Sequence, residues 1–203
     1  GNNQDISVGL FSSTLPTTRT LTMGSGTWTF TGTGTVFTLS QTGLTLTEGA
    51  STIVVSDTSA TAKTFDGGGQ TYNIVTFSGD NVTLTGNNTF NTLNVNNAGL
   101  TNGLKITSGS TQTVTNFATN GSSGNLAKLL STTGGSAHTL TTSSPQISVD
   151  YMSIQDSTAT QTNTWYAGAN STDAGGNTNW VFMAPPATSL KDIIQPGIIP
   201  FAR

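Results

Sequence analysis

Apolar and polar side chains alternate with a period of two residues along most of the chain, and no long segment repeats apolar residues with the period of a helix. Clear alternation begins at Leu44, Val82, Leu93 and Leu104, where aliphatic residues alternate with Thr, Asn or Lys. Segments rich in Gly, Asn and Asp separate such runs, at 66–69, 78–81, 86–88 and 101–103. The pattern predicts an all-β chain of short strands, each with its aliphatic face directed inward.

Two series of apolar residues recur at intervals of roughly 20 residues, as expected for a solenoid. The first series is Val55, Ile74, Leu93 and Val114, and the second is Leu46, Phe65, Leu84, Leu104 and Leu126. Because both series have one period, each coil contributes at least two strands, and we expect a parallel β-helix of roughly eight coils, about 40 Å long. The alternative is an antiparallel β-sandwich with evenly spaced strands, which the hairpin-type pairs at Asn102-Gly103 and Asn120-Gly121 favour.

The regularity of the pattern divides the chain into three parts. Residues 1–18 are irregular and carry one alternating strand, Ile6 to Leu10, which we interpret as a leading strand, an arm or a cap. Residues 19–182 hold the repeats and form the predicted β-helix with an aromatic cap at its end. Residues 183–203 are an apolar tail interrupted by prolines.

Composition narrows the possible partners. Charged residues are 7% of the 203 residues, and the six Lys and Arg with a net charge of −3 argue against nucleic acid or an anionic membrane surface as a partner. No apolar run approaches the ~20 residues of a membrane span. Thr, a strand-favouring residue, supplies roughly a fifth of the chain. Without Cys, we expect no disulfide, no thiol nucleophile and no Cys-based zinc site.

Several segments resemble repeats of right-handed parallel β-helix proteins of bacteriophage virions and of bacterial surface passengers. They are 65–74, 88–93, 111–117, 149–156, 165–170 and 173–180. The resemblance covers about residues 60–182. It implies a right-handed coil and an extracellular or particle-borne structural protein, and it implies no reaction.

Candidate catalytic groups are few and scattered. Asp150 and Asp156 flank one predicted strand and form the best carboxylate pair for glycan cleavage. The alternative is that Asp150 is a solvated residue at a strand end and that Asp156 opens a turn. His138 is the only histidine, and we expect it to be an outward polar residue on a strand. One His without Cys makes no ordinary zinc site, so we expect no metal, no cofactor and no catalytic role.

The aromatic residues near the end of the repeats have two interpretations. Flat rings beside amide and hydroxyl groups are typical of sugar binding, which makes a glycan site of Trp165, Tyr166, Asn170, Asp173 and Trp180. The alternative, which we favour, is that the indoles cover the open end of the coil stack.

The tail is too short to form a core, yet its apolar residues need cover in water. These residues are Leu190, Ile193, Ile194, Ile198, Ile199 and Phe201. They cover either the protein's own flank or, as we favour, a neighbouring subunit of a homo-oligomer or particle.

The leading hypothesis is a non-enzymatic structural protein at a virion or extracellular surface, a capsid decoration or tail fibre component. Its expected partners are other virion subunits and host cell-surface glycans. The alternatives are a bacterial adhesin or filament subunit, and a glycan-cleaving tailspike.

Overall fold

The computed structural model describes residues 3–160 and 164–186. In these ranges the regular structure consists of strands, without helices, and every pairing between named strands is parallel. The predicted all-β parallel β-helix is therefore confirmed. The sandwich alternative is wrong, because its sheets would be built from antiparallel strands.

Two sheets of eight strands run along the molecule. Sheet I contains, in spatial order, β1 (Ile6–Val8), β4 (Thr27–Phe30), β7 (Thr52–Val55), β9 (Thr71–Phe77), β11 (Thr89–Val95), β13 (Thr111–Thr119), β15 (His138–Thr142) and β18 (Ser157–Ala159). Sheet II contains β2 (Phe11–Ser13), β5 (Gly34–Leu39), β8 (Lys63–Asp66), β10 (Val82–Thr85), β12 (Leu104–Ile106), β14 (Ala127–Ser131), β17 (Met152–Ile154) and β20 (Thr172–Asp173). The chain passes from one sheet to the other in every coil.

Two smaller sheets complete the coils at the two ends. Sheet III pairs β3 (Arg19–Thr22) with β6 (Leu44–Thr47), near the start of the chain. Sheet IV contains β16 (Gln146–Ser148), β19 (Thr164–Tyr166) and β21 (Trp180–Val181). The strands β1 and β2 precede Arg19 and pair with β4 and β5, so residues 6–22 form the first coil of the described solenoid.

The middle strands β9, β11 and β13 are long because each runs through a corner. Buried Tyr72 and Val75 flank the corner of β9, where Asn73 and Ile74 are half-buried. Asn91 lies at the same corner of β11, and its Nδ2 donates to Asn73 Oδ1 at 3.3 Å. The side chain of Asn116 in turn donates to the Asn91 carbonyl at 3.2 Å. Asn side chains thus link successive coils where the strand changes direction.

The interior is a continuous column of aliphatic and aromatic side chains. The rings of Phe37 and Phe65 stack with centroids 4.5 Å apart and planes 5° apart, one coil above the other. Leu93 is fully buried between Val75 and Phe117 of the adjacent coils. Stacking of like side chains in neighbouring coils gives the core its length.

The two predicted series of stacked residues are only partly correct. Phe65 does pair with Leu84, but Leu84 pairs next with Ile106 rather than Leu104. Val55 pairs with Phe77 rather than Ile74. Coil length causes the error, because Asn94 lies 18 residues after its neighbour Thr76 whereas Asp66 lies 28 residues after its neighbour Thr38. A fixed interval of about 20 residues therefore does not predict which residues stack on one another.

Candidate functional site

The two indoles that were candidates for a sugar platform lie inside the solenoid. Trp165 is fully buried and Trp180 is 9% exposed. Their rings pack edge to face with centroids 5.2 Å apart, and both lie 6.3 Å from the ring of Phe117. Trp180 Nε1 also donates to Ser157 Oγ at 3.0 Å. Neither indole presents a face to a ligand, so their assignment to a glycan site is corrected.

The other residues of that predicted site are near one another in sequence but bond to different partners. Tyr166 is half-buried in β19. Asn170 donates its side-chain amide to Asp150 Oδ2 at 2.7 Å. Asp173 Oδ1 accepts a bond from Asn177 Nδ2 at 2.7 Å. These polar side chains stabilise turns. Asn170 is the one whose partner, Asp150, lines a surface groove.

Within the described residues, Asp150 and Asp156 share no hydrogen-bond partner. Asp150 Oδ1 accepts bonds from the backbone N–H groups of Tyr151 and Asn170, each at 2.9 Å. Asp156 Oδ2 instead accepts the Gly135 N–H at 3.1 Å. Burial alone would raise the pKa of Asp150, but the bonds from Asn170 and Tyr151 outweigh it and lower the pKa. Asp150 is therefore an ionised acceptor at neutral pH and a poor proton donor.

His138 faces inward, so the expectation of an outward side chain is wrong. It is fully buried in β15, on the same face as Leu140. Both ring nitrogens lack a hydrogen-bond partner within the described residues. Burial lowers the pKa of His138 to about 4, against a smaller opposing effect of the Asp156 carboxylate. The sequence signal was the two-residue alternation. His138 lies two residues before the apolar Leu140, and residues two apart in a strand face the same side.

An ion pair between a buried lysine and a partly exposed aspartate carries no sequence motif. Lys63 is fully buried, and its Nζ lies 2.7 Å from Asp57 Oδ1. The ammonium also donates to the carbonyls of Thr61 and Asp80, both at 2.9 Å. The hydrogen bond from Lys63 lowers the pKa of Asp57. The sequence signal was the two-residue alternation, since Lys63 lies two residues before Phe65 and therefore on the same inner face of β8.

Two Asp–Asn pairs, which we call acid–amide clasps, join successive coils at the turns that precede strands of sheet II. Asp80 Oδ1 accepts the backbone N–H of Asn102 at 2.7 Å, and Asp80 Oδ2 accepts its side-chain amide at 2.8 Å. Asp150 and Asn170 repeat this arrangement with distances of 2.9 and 2.7 Å. In each clasp both residues lie two positions before a strand. The second clasp differs from the first in that its aspartate lines an open groove.

That groove, which we call the Tyr151 groove, has a volume of about 290 Å³ and opens to solvent. Its lining includes Phe117, Thr119, Gly121, Ser148, Asp150 and Tyr151. Among these residues only Asp150 carries a charge. The groove thus combines two aromatic residues, a fixed carboxylate and the hydroxyl groups of Thr119 and Ser148, which makes it the candidate functional site of the described chain.

A second groove lies beside the loops that precede β12 and β14. It has a volume of about 340 Å³, and its lining includes Leu100, Leu126 and Lys128. Lys128 Nζ donates to the Thr101 carbonyl at 2.8 Å. The cation is therefore engaged in holding a turn.

The described residues contain no group of three or more metal-ligating side chains, and no helix there is long and apolar enough to cross a membrane. Comparison of the chain with family models, with curated proteins and with solved structures finds no match. The function is therefore argued from the residues themselves.

Proposed function

We propose that the chain is a non-enzymatic structural subunit of a bacteriophage particle, a capsid decoration or tail fibre component at the virion surface. The observation that carries the proposal is the distribution of exposed apolar side chains. In the described residues the large exposed hydrophobics are Val8, Leu10, Leu15 and Met183. The first three belong to the first coil and Met183 follows β21, the last described strand, so the exposed apolar surface of the described residues is concentrated at the two ends.

The flanks of the rod are polar by contrast. Thr83, for example, faces outward between Thr64 and Lys105 of the neighbouring coils. On sheet I, Asn94 Nδ2 donates to Thr76 Oγ1 at 2.9 Å across two coils. A rod with apolar ends and hydroxyl- and amide-covered sides suits attachment to other subunits through its ends, with its sides in solvent or against glycans.

The assignment to a phage particle is supported by the resemblance of the repeats to those of virion β-helix proteins. The parallel β-helix is the fold that this resemblance implied. Low charge supports the same proposal, since a surface with 7% charged residues offers few trypsin sites and little salt dependence outside the cell.

Attachment through the ends can be measured by sedimentation velocity. We expect the wild-type chain to associate at micromolar concentration, and a Leu10→Ser/Leu15→Ser variant to sediment as a smaller species with an unchanged circular dichroism spectrum. A Thr45→Ser/Thr47→Ser variant, altered at exposed flank positions, is the matched control and should associate like wild type. A wild-type chain that stays monomeric overturns the proposed attachment.

The location can be tested by mass spectrometry of two fractions of the culture that produces the chain, the nuclease-resistant particles and the cell envelope. Peptides of this chain in nuclease-resistant particles, at a constant ratio to the major capsid peptides, support the virion assignment. Peptides confined to the cell envelope contradict it and favour the bacterial adhesin or filament alternative.

A further inference from the structure

Tyr151 occupies a backbone position that is unfavourable for its residue type. The residue directly before a strand of sheet II has a positive φ in three coils: Asn81 at 52°, Gly103 at 64° and Tyr151 at 56°. Gly and Asn tolerate this left-handed region, whereas a bulky aromatic residue is strained there. The chain thus places a tyrosine where the turn itself favours glycine or asparagine, and such strain is typical of functional positions.

The fold uses the backbone of Tyr151 but makes little use of its ring. Gly121 of the adjacent coil lies so close that a Cβ there would come 2.0 Å from the Tyr151 carbonyl oxygen. In the described part of the chain, the aromatic pairs at this end join Phe117, Trp165 and Trp180, and none includes Tyr151. Tyr151 is half-buried and lines the groove instead. Packing of the core therefore does not account for the tyrosine.

The groups around the ring match the chemistry of a sugar. The C–H face of a hexose stacks on an aromatic ring, and its hydroxyl groups donate to a carboxylate. Asp150 is held in place by Asn170 and stays ionised, while Thr119 and Ser148 add hydroxyl groups to the lining. Among the described residues that line the groove, Asp150 alone is charged, and it would repel an acidic sugar. The volume, near the ~300 Å³ lower limit of small-molecule sites, suits about one sugar ring.

We propose that the Tyr151 groove binds a neutral hexose unit of a surface glycan, with Tyr151 as the stacking platform and Asp150 as the acceptor for its hydroxyl groups. The inference rests on the proposed function, to which it adds the ligand class and the binding residues. The two are tested separately, since the presence of the chain in particles does not depend on this groove.

The experiment is saturation-transfer difference NMR with four neutral tetrasaccharides, made of α-linked glucose, β-linked glucose, mannose and galactose, each at about 10 mM. We expect at least one to bind the wild-type chain. Tyr151→Gly should weaken that binding about tenfold or more while keeping or raising the melting temperature, because glycine relieves the strain at φ 56°. Asp150→Asn should also weaken binding, since a neutral acceptor replaces the ionised one.

The matched control is Asn81→Gly, which alters the equivalent turn position without touching the groove. It should bind the tetrasaccharide like wild type. Absence of saturation transfer from all four sugars overturns the inference, and so does a folded Tyr151→Gly variant that binds as tightly as wild type.

Discussion

Lys63 Nζ lies 2.7 Å from Asp57 Oδ1, inside a coil where the lysine side chain is fully buried. The same ammonium donates to the Asp80 carbonyl, at the turn before β10. One cation thus fixes the loop between β7 and β8 and joins it to the next coil. A buried charge of this kind is tolerated because oxygen atoms surround it.

Removing the Asp57 carboxylate should destabilise the protein, because it leaves the buried ammonium without its counter-charge. We expect Asp57→Ala to unfold at a clearly lower urea concentration than wild type at pH 7. The double variant Lys63→Met/Asp57→Asn removes both charges and should recover part of this loss. If Asp57→Ala unfolds at the wild-type urea midpoint, the ion pair contributes nothing to stability.

The inward and outward positions of the strands can be tested with one substitution on each face. Leu93→Asp places an unpaired carboxylate in the fully buried column and should cost more than about 4 kcal/mol or abolish folding. Thr83→Asp introduces the same charge on the outward face of β10, beside Lys105, and should change stability by about 0.5 kcal/mol or less. Thermal melts of both variants decide the matter, since equal losses would show that the assignment of faces is wrong.

The buried His138 predicts a loss of stability in mild acid. Its folded pKa of about 4 lies below its ordinary value of 6.5, so between these values the unfolded chain binds a proton that the folded chain does not. The contribution is complete above pH 6.5 and decreases as the pH falls towards 4. We expect a loss of about 2 kcal/mol between pH 7.5 and pH 5, measured by urea unfolding.

His138→Leu is the control for this pH dependence, because it replaces the imidazole by an apolar group. The variant should lose clearly less stability than wild type over the same pH interval, which stops at pH 5 to limit the titration of carboxylates. Equal losses in the two proteins would assign the pH dependence to groups other than His138.

Much of the fold could be predicted from local alternation. The runs at Leu44, Val82 and Leu104 are the strands β6, β10 and β12, since each needs only a two-residue period to set its faces. Stacking register could not be predicted as well. It depends on coil lengths set by loops, and on corners such as Asn73–Ile74, where two successive residues avoid the interior and shift the parity.

The candidate site was less predictable than the fold. Trp165 and Trp180 were recognised as a pair, but whether an indole covers a core or faces solvent depends on the strands stacked against it. Tyr151 carries no motif. Its only sequence signal is that Asp150-Tyr151-Met152 aligns with Asp80-Asn81-Val82, with tyrosine in place of a residue that tolerates positive φ. That signal becomes visible once the coils are correctly aligned.

The last prediction concerns the apolar tail, whose residues Leu190 to Phe201 lie outside the described residues. The described core includes Trp180, and Phe182 packs against it, before Pro185 and Pro186. Deleting everything after Ala184 should therefore leave the circular dichroism spectrum and melting temperature unchanged. Six aliphatic and aromatic residues without a core of their own need cover, so the deletion should abolish association or attachment to the particle.

Sedimentation velocity of the truncated and full-length chains, side by side with Leu10→Ser/Leu15→Ser, separates the possible roles of the tail. If both altered chains fail to associate, the tail and the first coil are parts of the same attachment. A truncated chain that assembles normally shows that the tail is not the connector. A truncated chain that unfolds shows that the tail belongs to the protein's own core, because only the loss of intramolecular packing would then explain the change in the dichroism spectrum.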